Sequence, residues 1–240
     1  MTAAAVRVSR VLETIAEACA RAGRDPAAVT LIAVSKTQPA SAILEVVEAG
    51  VQHFGENRVE EAETKIPAVN AVSPRPLTWH MIGHLQSRKA RLALPLFRQV
   101  HSVDSLKLAG KLSALAAEAG RTLDVLLEMN VSGETAKYGF GAADWQTNDE
   151  TRRRLWSEVE QILALPGLNV HGLMTMAPIV PEMEQTRPIF ARLAALRDAL
   201  AEAFNRPLVD LSMGMTDDYP VAVEEGATLV RIGRAIFGEG

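Results

Sequence analysis

The sequence predicts a (β/α)8 barrel of the TIM type with one extra helix at its N-terminus. Eight short runs rich in apolar and β-branched residues recur along the 240 residues, and a longer stretch of helical periodicity follows each run. Such alternation is typical of parallel strands joined by crossover helices, and continuously apolar runs suit a sheet buried on both faces. Eight units in a chain of about this length favour closure into a barrel.

The first element is the extra helix. Val11, Ile15 and Cys19 have the spacing of an apolar helical stripe. Arg7 and Glu13 interrupt the compact apolar run that a secretory signal would need. We therefore expect this segment to pack on the barrel as a helix.

The strands and helices then alternate to the end of the chain. Gly50, Gly120 and Gly167 stand where helices should end, and Asp104 and Thr147 are predicted N-caps. Residues 68–76 and 132–150 are predicted to be long loops. We predict the eight strands at 29–35, 51–55, 77–83, 98–103, 123–131, 168–176, 207–214 and 227–233.

An open doubly wound sheet is the alternative architecture. Its dinucleotide-binding form usually has a G-x-G-x-x-G turn after the first strand, whereas the first strand here ends in SKTQPA. No linker, repeat or low-complexity tract divides the chain. We expect residues 1–240 to form a single domain.

The composition restricts the class of protein. The chain is 48% hydrophobic and 22% charged, as in ordinary globular proteins. Its net charge of -4 argues against nucleic acid or an anionic membrane as the main partner. The single cysteine, Cys19, excludes an internal disulfide and favours a cytoplasmic location, and no segment approaches the roughly 20 apolar residues of a membrane span.

The first predicted strand ends at Lys36, in TLIAVSKTQ. Functional residues of such barrels lie at the C-terminal ends of the strands. Apolar walls would partly desolvate a lysine there and favour its neutral amine, which traps aldehydes as imines. The alternative is a lysine that extends to the rim or pairs with a carboxylate such as Glu56.

The ends of the seventh and eighth strands have the sequences DLSMGMTDD and RIGRAIFG. Barrels frequently bind phosphate with the loops after these two strands. Ser212 offers a hydroxyl, Gly214 and Gly233 allow close backbone approach, and Arg234 opens a short helix. A pair of glycines also closes many barrels without binding anything. Together with Lys36, however, the pattern favours a ligand with an aldehyde and a phosphate, such as pyridoxal 5'-phosphate (PLP).

Seven motifs follow one another along the chain: AVSKTQP, HFGENRVEEAETK, WHMIGHLQSRKA, HSVD, NVSGETAKYGF, HGLMTMAP and LSMGMTDDYPVAVEEGATLVRIGRAIFG. Together they resemble the pyridoxal phosphate homeostasis protein family, whose members look like the barrel domain of alanine racemase. The resemblance covers nearly the whole chain. It implies a PLP-binding protein that stores, buffers or delivers the cofactor, with PLP-dependent apoenzymes as recipients.

The resemblance also assigns individual residues. It makes Lys36 the Schiff-base lysine, places Asn57 near the ring and turns Arg231 toward the pyridine nitrogen. Some relatives have a threonine where this chain has Arg234. The residues implied to hold the phosphate are Ser212, Gly233 and Arg234, with the backbone of Met213 and Gly214.

Arg231 bears on catalysis. A guanidinium beside the ring nitrogen leaves that nitrogen unprotonated and weakens the ring as an electron sink. The resemblance therefore implies a binder without catalytic residues. An inward arginine paired with an acid such as Asp210 is the structural alternative.

A racemase-like PLP enzyme is the alternative function. A racemase needs a second acid or base opposite the lysine. The sequence ends seven residues after Gly233, so we expect no additional β-domain to supply one. Its two tyrosines are Tyr138 and Tyr219, and Tyr219 is expected to pack over a loop. A phosphosugar enzyme using Lys36 on the same barrel is a third possibility. Without the β-domain, the chain is predicted to be a monomer.

The histidines are not predicted to bind metal. His80 and His84 have the spacing of a helical metal site, but HMIGH spans a strand end and lacks the glutamate of a zinc protease motif. His53, His101 and His171 lie in predicted strands and are expected to be hydrogen-bonded core or rim residues.

Lys137 is the rival imine lysine. It lies in the polar loop SGETAKYGF, where we expect an ammonium beside Glu134. A role as a secondary PLP-accepting lysine is a separate hypothesis.

Overall fold

The computed structural model describes residues 2–134 and 137–238, and eight parallel strands within these ranges close into a barrel. Strand follows strand around the barrel, and the last pairs with the first. The strands are β1 (Thr30–Val34), β2 (His53–Glu56), β3 (Thr78–Met81), β4 (Gln99–Val103), β5 (Leu123–Asn130), β6 (Phe140–Gly141), β7 (Leu168–Met174), β8 (Asp210–Ser212) and β9 (Leu229–Ile232).

All strands except β6 belong to the barrel, and each matches one predicted run, so the predicted fold class is confirmed. The helices are α1 (Ala3–Arg21), α2 (Ala40–Glu48), α3 (Val59–Val72), α4 (Ala90–Ala93), α5 (Leu106–Glu118), α6 (Asp149–Leu163), α7 (Arg187–Ala203), α8 (Tyr219–Glu224) and α9 (Arg234–Phe237). Short 3-10 turns occupy Pro26–Ala28, Ser87–Lys89 and Met183–Thr186.

Helix α1 is the predicted extra helix, and it packs against α8 and α9. Its buried stripe contains Val11, Ile15 and Cys19, as predicted. The Arg7 Nε donates to the carbonyl of Ile236 in α9 at 2.5 Å. Helix α1 therefore holds the two short helices that follow the last two strands.

Apolar contacts are divided between the two faces of the sheet. Most buried apolar residues lie in one large cluster between strands and helices. A second, smaller cluster joins Ile32, Leu126, Met174 and Leu229, from strands on opposite sides of the barrel. This small cluster fills part of the barrel interior. Polar side chains occupy much of the remaining space.

Two predicted loops are only partly confirmed, and two predicted N-caps are each displaced by one residue. Residues 68–72 are helical rather than loop, since burial of Val69 in α3 compensates for the hydrogen bond lost at Pro67. Residues 132–150 contain β6, which pairs with β5. The N-caps of α5 and α6 are Ser105 and Asn148, each one residue after the predicted cap, and both side chains accept bonds from the first turn.

Within residues 2–134 and 137–238, no helix combines the length and apolarity needed to cross a membrane.

Candidate functional site at the C-terminal ends of the strands

Lys36 lies just beyond β1, on the predicted face of the barrel. Strand β1 pairs with β9, and a Cβ built on Gly233 would lie 3.5 Å from the Val34 carbonyl oxygen. The lysine therefore follows a strand that directly adjoins the turn at Gly233. Its side chain is exposed, which differs from the expected partial desolvation, because Lys36 stands past the last paired residue of the strand.

The amine of Lys36 has no hydrogen bond or ion pair among the described residues, because a different lysine takes the nearby carboxylates. The Lys65 Nζ binds Glu56 Oε1 at 3.0 Å and also pairs with Glu61. The suggested pairing of Lys36 with Glu56 is therefore wrong. Lys36 has no ion pair among the described residues because Lys65 occupies these two carboxylates.

The same network fixes the backbone on both sides of Lys36. On one side, Lys65 donates to the Ser35 carbonyl at 2.8 Å, and the Ser35 hydroxyl donates to Glu56 at 2.6 Å. On the other side, the Thr37 N–H donates to Glu61 at 2.7 Å. Thr37 has a φ of 62°, a left-handed conformation that costs free energy in a β-branched residue. These contacts stabilise a strained turn at the lysine.

Asn57 lies directly after β2, on the same face. Its Oδ1 is buried without a partner in the part of the chain that the structure describes. The backbone at Gly83 approaches closely, and a Cβ there would lie 2.4 Å from the Asn57 carbonyl oxygen. Asn57, Gly83 and His84 help to line a cavity of about 520 Å³. The residues that line this cavity do not include Lys36, Gly214 or Gly233.

The turn after β8 presents one unused N–H group. The Met213 N–H donates to the Leu229 carbonyl at 3.1 Å, and the Met215 N–H donates to Asp218 at 2.6 Å. Gly214, between them, has no acceptor for its N–H among the described residues. Its φ is +92°, and a Cβ there would lie 2.6 Å from Ala222 Cβ. Gly214 is therefore required by conformation and by space.

The turn after β9 begins helix α9 at Gly233. The N–H groups of Arg234 and Ala235 lack acceptors within residues 2–134 and 137–238, as expected in a first helical turn. The Arg234 side chain is exposed and pairs with Asp217, which lies in the loop after β8. This ion pair joins the two loops that were predicted to bind phosphate.

Arg231 points into the barrel and is almost fully buried. Its Nη1 donates to the Ser212 hydroxyl at 2.6 Å, and its Nη2 donates to the Thr175 carbonyl at 2.9 Å. The alternative of a direct pair with Asp210 is wrong. Burial lowers the pKa of Arg231 to about 10, opposed by the charges of Asp218 and Glu128, so the guanidinium remains a cation at pH 7.

Three histidines extend this network through the barrel. The Nδ1 of His101 lies 2.8 Å from the Ser212 hydroxyl. The Nδ1 of His80 lies 3.0 Å from His101 Nε2, and the Nδ1 of His53 lies 3.0 Å from His80 Nε2. Burial lowers the pKa of all three, that of His80 to about 3. The expected hydrogen bonds of His53 and His101 are confirmed. The sequence does not show that these bonds join the three rings into one connected series.

Glu128 is a site residue that sequence reasoning missed. It lies near the C-terminal end of β5, is 3% exposed, and its Oε2 has no partner among the described residues. Burial raises the pKa of Glu128 to about 7, and the Asp104 charge acts in the same direction. The only sequence signal was a glutamate inside the apolar run LDVLLEMNV.

Lys137 and the two tyrosines have partners other than Lys36. The Lys137 Nζ donates to the Met176 carbonyl at 3.1 Å and pairs with Glu134, as expected. Tyr138 stacks on His84 with ring centroids 3.9 Å apart. Tyr219 is buried at the start of α8, which confirms its packing role.

The remaining histidines also have protein partners. His84 Nδ1 lies 3.0 Å from Asp104. His171 lies 3.0 Å from Asp124, near the N-terminal end of the barrel. No cluster of three or more metal-ligating side chains occurs in the described ranges.

The comparisons with known proteins find this class of barrel fold. A family model described as alanine racemase, N-terminal domain, matches residues 7–240. A pyridoxal phosphate homeostasis protein of Aquifex aeolicus is 41% identical over 97% of this chain and 96% of its own. One of Pseudomonas aeruginosa is 42% identical over 99% and 96%. The chain belongs to the pyridoxal phosphate homeostasis protein family.

A solved relative extends the comparison to three dimensions. PipY of Synechococcus elongatus, solved with PLP bound, is 40% identical to this chain, with a TM-score of 0.77 over 93% of this chain and all of that one.

Proposed function

We propose that this protein binds PLP at the C-terminal face of the barrel, holds it as a Schiff base on Lys36, and stores, buffers or delivers it in the cytoplasm. The observation that carries the proposal is the pairing of β1 with β9, which sets Lys36, a lysine without a partner among the described residues, two residues beyond the strand that adjoins the turn at Gly233. An aldehyde-trapping amine and backbone N–H donors then lie on adjacent strands. The PLP complex of PipY supports the choice of ligand.

The unused polar groups of this face fit PLP. Backbone N–H groups of Gly214, Arg234 and Ala235 suit phosphate oxygens. The Met213 N–H is bonded to the Leu229 carbonyl, so Met213 would not donate to the phosphate but would hold the backbone that precedes Gly214. Asn57 Oδ1 is a buried acceptor without a partner among the described residues, as expected where a ligand completes a site.

The side chains around these groups would position them. Arg234 and Asp217 tie the phosphate-binding loops together, and Gly233 keeps the backbone free of a side chain where β9 meets β1. Ser212 and Arg231 lie beneath, in the barrel interior. Residues from four strand ends would therefore make one site, which supports treating residues 1–240 as a single domain.

Arg231 would restrict the chemistry. Bound PLP supplies a ring that stabilises carbanions most strongly when its nitrogen is protonated. A buried guanidinium that remains charged can donate a hydrogen bond to that nitrogen but cannot accept one. Arg231 would thus keep the nitrogen unprotonated, which favours a binder without robust catalytic activity.

The racemase-like alternative needs a second proton-transfer group at the lysine. Tyr219 is packed in the apolar cluster, and Tyr138 is half-exposed and stacked on His84. Neither phenol oxygen is hydrogen-bonded to Lys36 among the described residues, and these contacts support a packing role for both tyrosines. We therefore favour homeostasis over racemisation, and we expect the protein to act as a monomer.

The absorbance spectrum of the purified protein tests the proposal. PLP bound as an imine should absorb near the violet edge of the visible spectrum, and Lys36→Ala should remove this band while Lys137→Ala retains it. Loss of the band only in Lys137→Ala would reject Lys36. Racemisation or decarboxylation of amino acids at roughly 1 per second or more would reject the non-catalytic role.

A further inference from the structure

We propose that His53, His80 and His101 form one directional hydrogen-bond relay that ends at the Ser212 hydroxyl. The relay holds that hydroxyl as a donor to His101, so that its oxygen accepts from Arg231 and positions the guanidinium. All three histidines are neutral and protonated on Nε2. The inference deepens the proposed function, because Arg231 is the residue proposed to face the ring nitrogen. It makes the histidines positioning residues and removes the Ser212 hydroxyl from the donors available to a phosphate.

The direction of the relay is set by Gln99, which contacts the His101 ring. The Gln99 amide nitrogen lies 3.4 Å from Asp210 Oδ2, and its amide oxygen lies 3.1 Å from His101 Nε2. A carboxylate only accepts hydrogen bonds, so the amide nitrogen faces Asp210 and the amide oxygen faces the histidine. His101 Nε2 must then carry a hydrogen. A neutral imidazole has one N–H, so the Nδ1 of His101 is an acceptor.

The same reasoning fixes the other two rings. The single Nε2–H of His101 is shared between the Gln99 oxygen at 3.1 Å and His80 Nδ1 at 3.0 Å. His80 Nδ1 must accept, because two facing N–H groups would repel. The hydrogen of His80 is therefore on Nε2, and it is donated to His53 Nδ1 at 3.0 Å. His53 in turn carries its hydrogen on Nε2. The neutral state of all three agrees with their burial, which is complete for His101 and nearly complete for His80.

Ser212 lies where the relay meets Arg231. Arg231 can only donate, so the Ser212 oxygen accepts from Nη1 at 2.6 Å. The Nδ1 of His101 can only accept, so the hydroxyl hydrogen is donated to it at 2.8 Å. Turning that hydrogen toward a phosphate would leave a fully buried acceptor on His101 without a partner. The relay therefore keeps the Ser212 oxygen oriented toward the guanidinium.

Nitrogen NMR of the wild-type protein, labelled with 15N-histidine and freed of PLP, tests the relay directly. Long-range proton–nitrogen correlations identify the tautomer of each ring. We expect three neutral Nε2–H rings, and we expect the same three after PLP is added. A His101 ring protonated on Nδ1 in either state would overturn the proposal, because Ser212 could then donate to the phosphate.

Variants test the positioning role through PLP affinity. His101→Leu removes the acceptor for Ser212, and we expect PLP to bind about tenfold more weakly, with a shifted absorbance maximum. His101→Asn places an amide oxygen near the position of Nδ1 and should restore affinity to within about threefold. Ser113→Ala is the control for loss of a buried hydrogen bond, since the Ser113 hydroxyl donates to the Pro166 carbonyl and has no contact with the relay or with Gln99.

The double variant completes the test. His101→Leu combined with Ser212→Ala should bind PLP no more weakly than Ser212→Ala alone, because both changes interrupt the same path to Arg231. Additive losses would show that His101 acts independently of Ser212 and would contradict the proposal. If the wild type bound no PLP, the proposed function would fail, whereas the tautomers of the PLP-free protein would still test the relay.

Discussion

Replacing Lys65 with methionine tests the explanation for the free amine of Lys36. Methionine keeps most of the length of the side chain but removes the ammonium that contacts Glu56, Glu61 and the Ser35 carbonyl. Glu56 is fully buried, so it would lose its only cation in the described structure. Breaking a buried ion pair by removing one partner costs about 3–5 kcal/mol.

Protonation of Glu56 limits this loss. Burial already raises the pKa of Glu56 above its ordinary value of 4.5. Protonating a carboxylate of that ordinary pKa at pH 7 costs about 3 kcal/mol, so the free energy of unfolding should fall by about 3 kcal/mol. For a chain of this length, the midpoint of thermal unfolding should fall by about 6–12 °C.

The pH dependence gives the sign of the effect. In Lys65→Met, the folded state holds the Glu56 proton more tightly than the unfolded state does, so stability falls as pH rises above about 4.5. The deficit relative to wild type should shrink to about 1.5 kcal/mol at pH 5.5, where protonation costs about 1.4 kcal/mol.

Denaturant unfolding at pH 5.5, 7 and 8 measures this deficit. Lys89→Met is the matched control: Lys89 pairs with Glu60 at the surface, and its loss should leave stability unchanged. Adding Glu56→Gln to Lys65→Met should recover part of the loss at pH 7. A deficit below about 0.5 kcal/mol at pH 7, or one that does not vary with pH, would refute the reasoning.

Three further predictions follow from the site. Gly214→Ala should lower the free energy of unfolding by about 2–4 kcal/mol, because the position has a positive φ and a Cβ there would contact Ala222. Gly110→Ala, in open space within α5, should raise it by up to about 1 kcal/mol. Thermal unfolding of both variants checks this, and equal effects would contradict it. The raised pKa of Glu128 in the folded state should cost the wild type about 2–3 kcal/mol of stability as pH rises from 4.5 through 7. Glu128→Gln should abolish this loss in denaturant unfolding. An unchanged pH profile would show that Glu128 is solvated. Arg7→Ala should lower stability by about 1 kcal/mol and speed hydrogen exchange in α9, because it removes the bond to the Ile236 carbonyl. Arg10→Ala, at an exposed position of α1, is the control. Equal exchange rates in the two variants would contradict the role of α1 in holding α9.

The sequence was sufficient for the order of the strands because each strand is apolar and each is followed by a helical pattern. It also indicated where to look for a candidate site, since C-terminal strand ends converge in any such barrel. Lys36, Gly214 and Gly233 could therefore be selected one strand at a time. Their proximity follows from barrel closure, which pairs β1 with β9.

Partners that depend on side-chain direction could not be predicted. The sequence offered Glu56 to Lys36, but the first turns of α3 turn Lys65 toward the same carboxylate. It suggested Asp210 for Arg231, whereas the guanidinium reaches Ser212 and Thr175 instead. The relay joins residues from five strands, and no short sequence motif encodes that arrangement. Burial of polar groups is set by the whole fold.

Borohydride reduction followed by peptide mass mapping tests the central claim most directly. Reduction of the purified protein makes an imine permanent, so the modified lysine can be identified by mass. We expect the pyridoxyl phosphate adduct on the peptide that contains Lys36, with little on the peptide that contains Lys137. An adduct confined to Lys137, or no adduct on protein saturated with PLP, would contradict the assignment of Lys36.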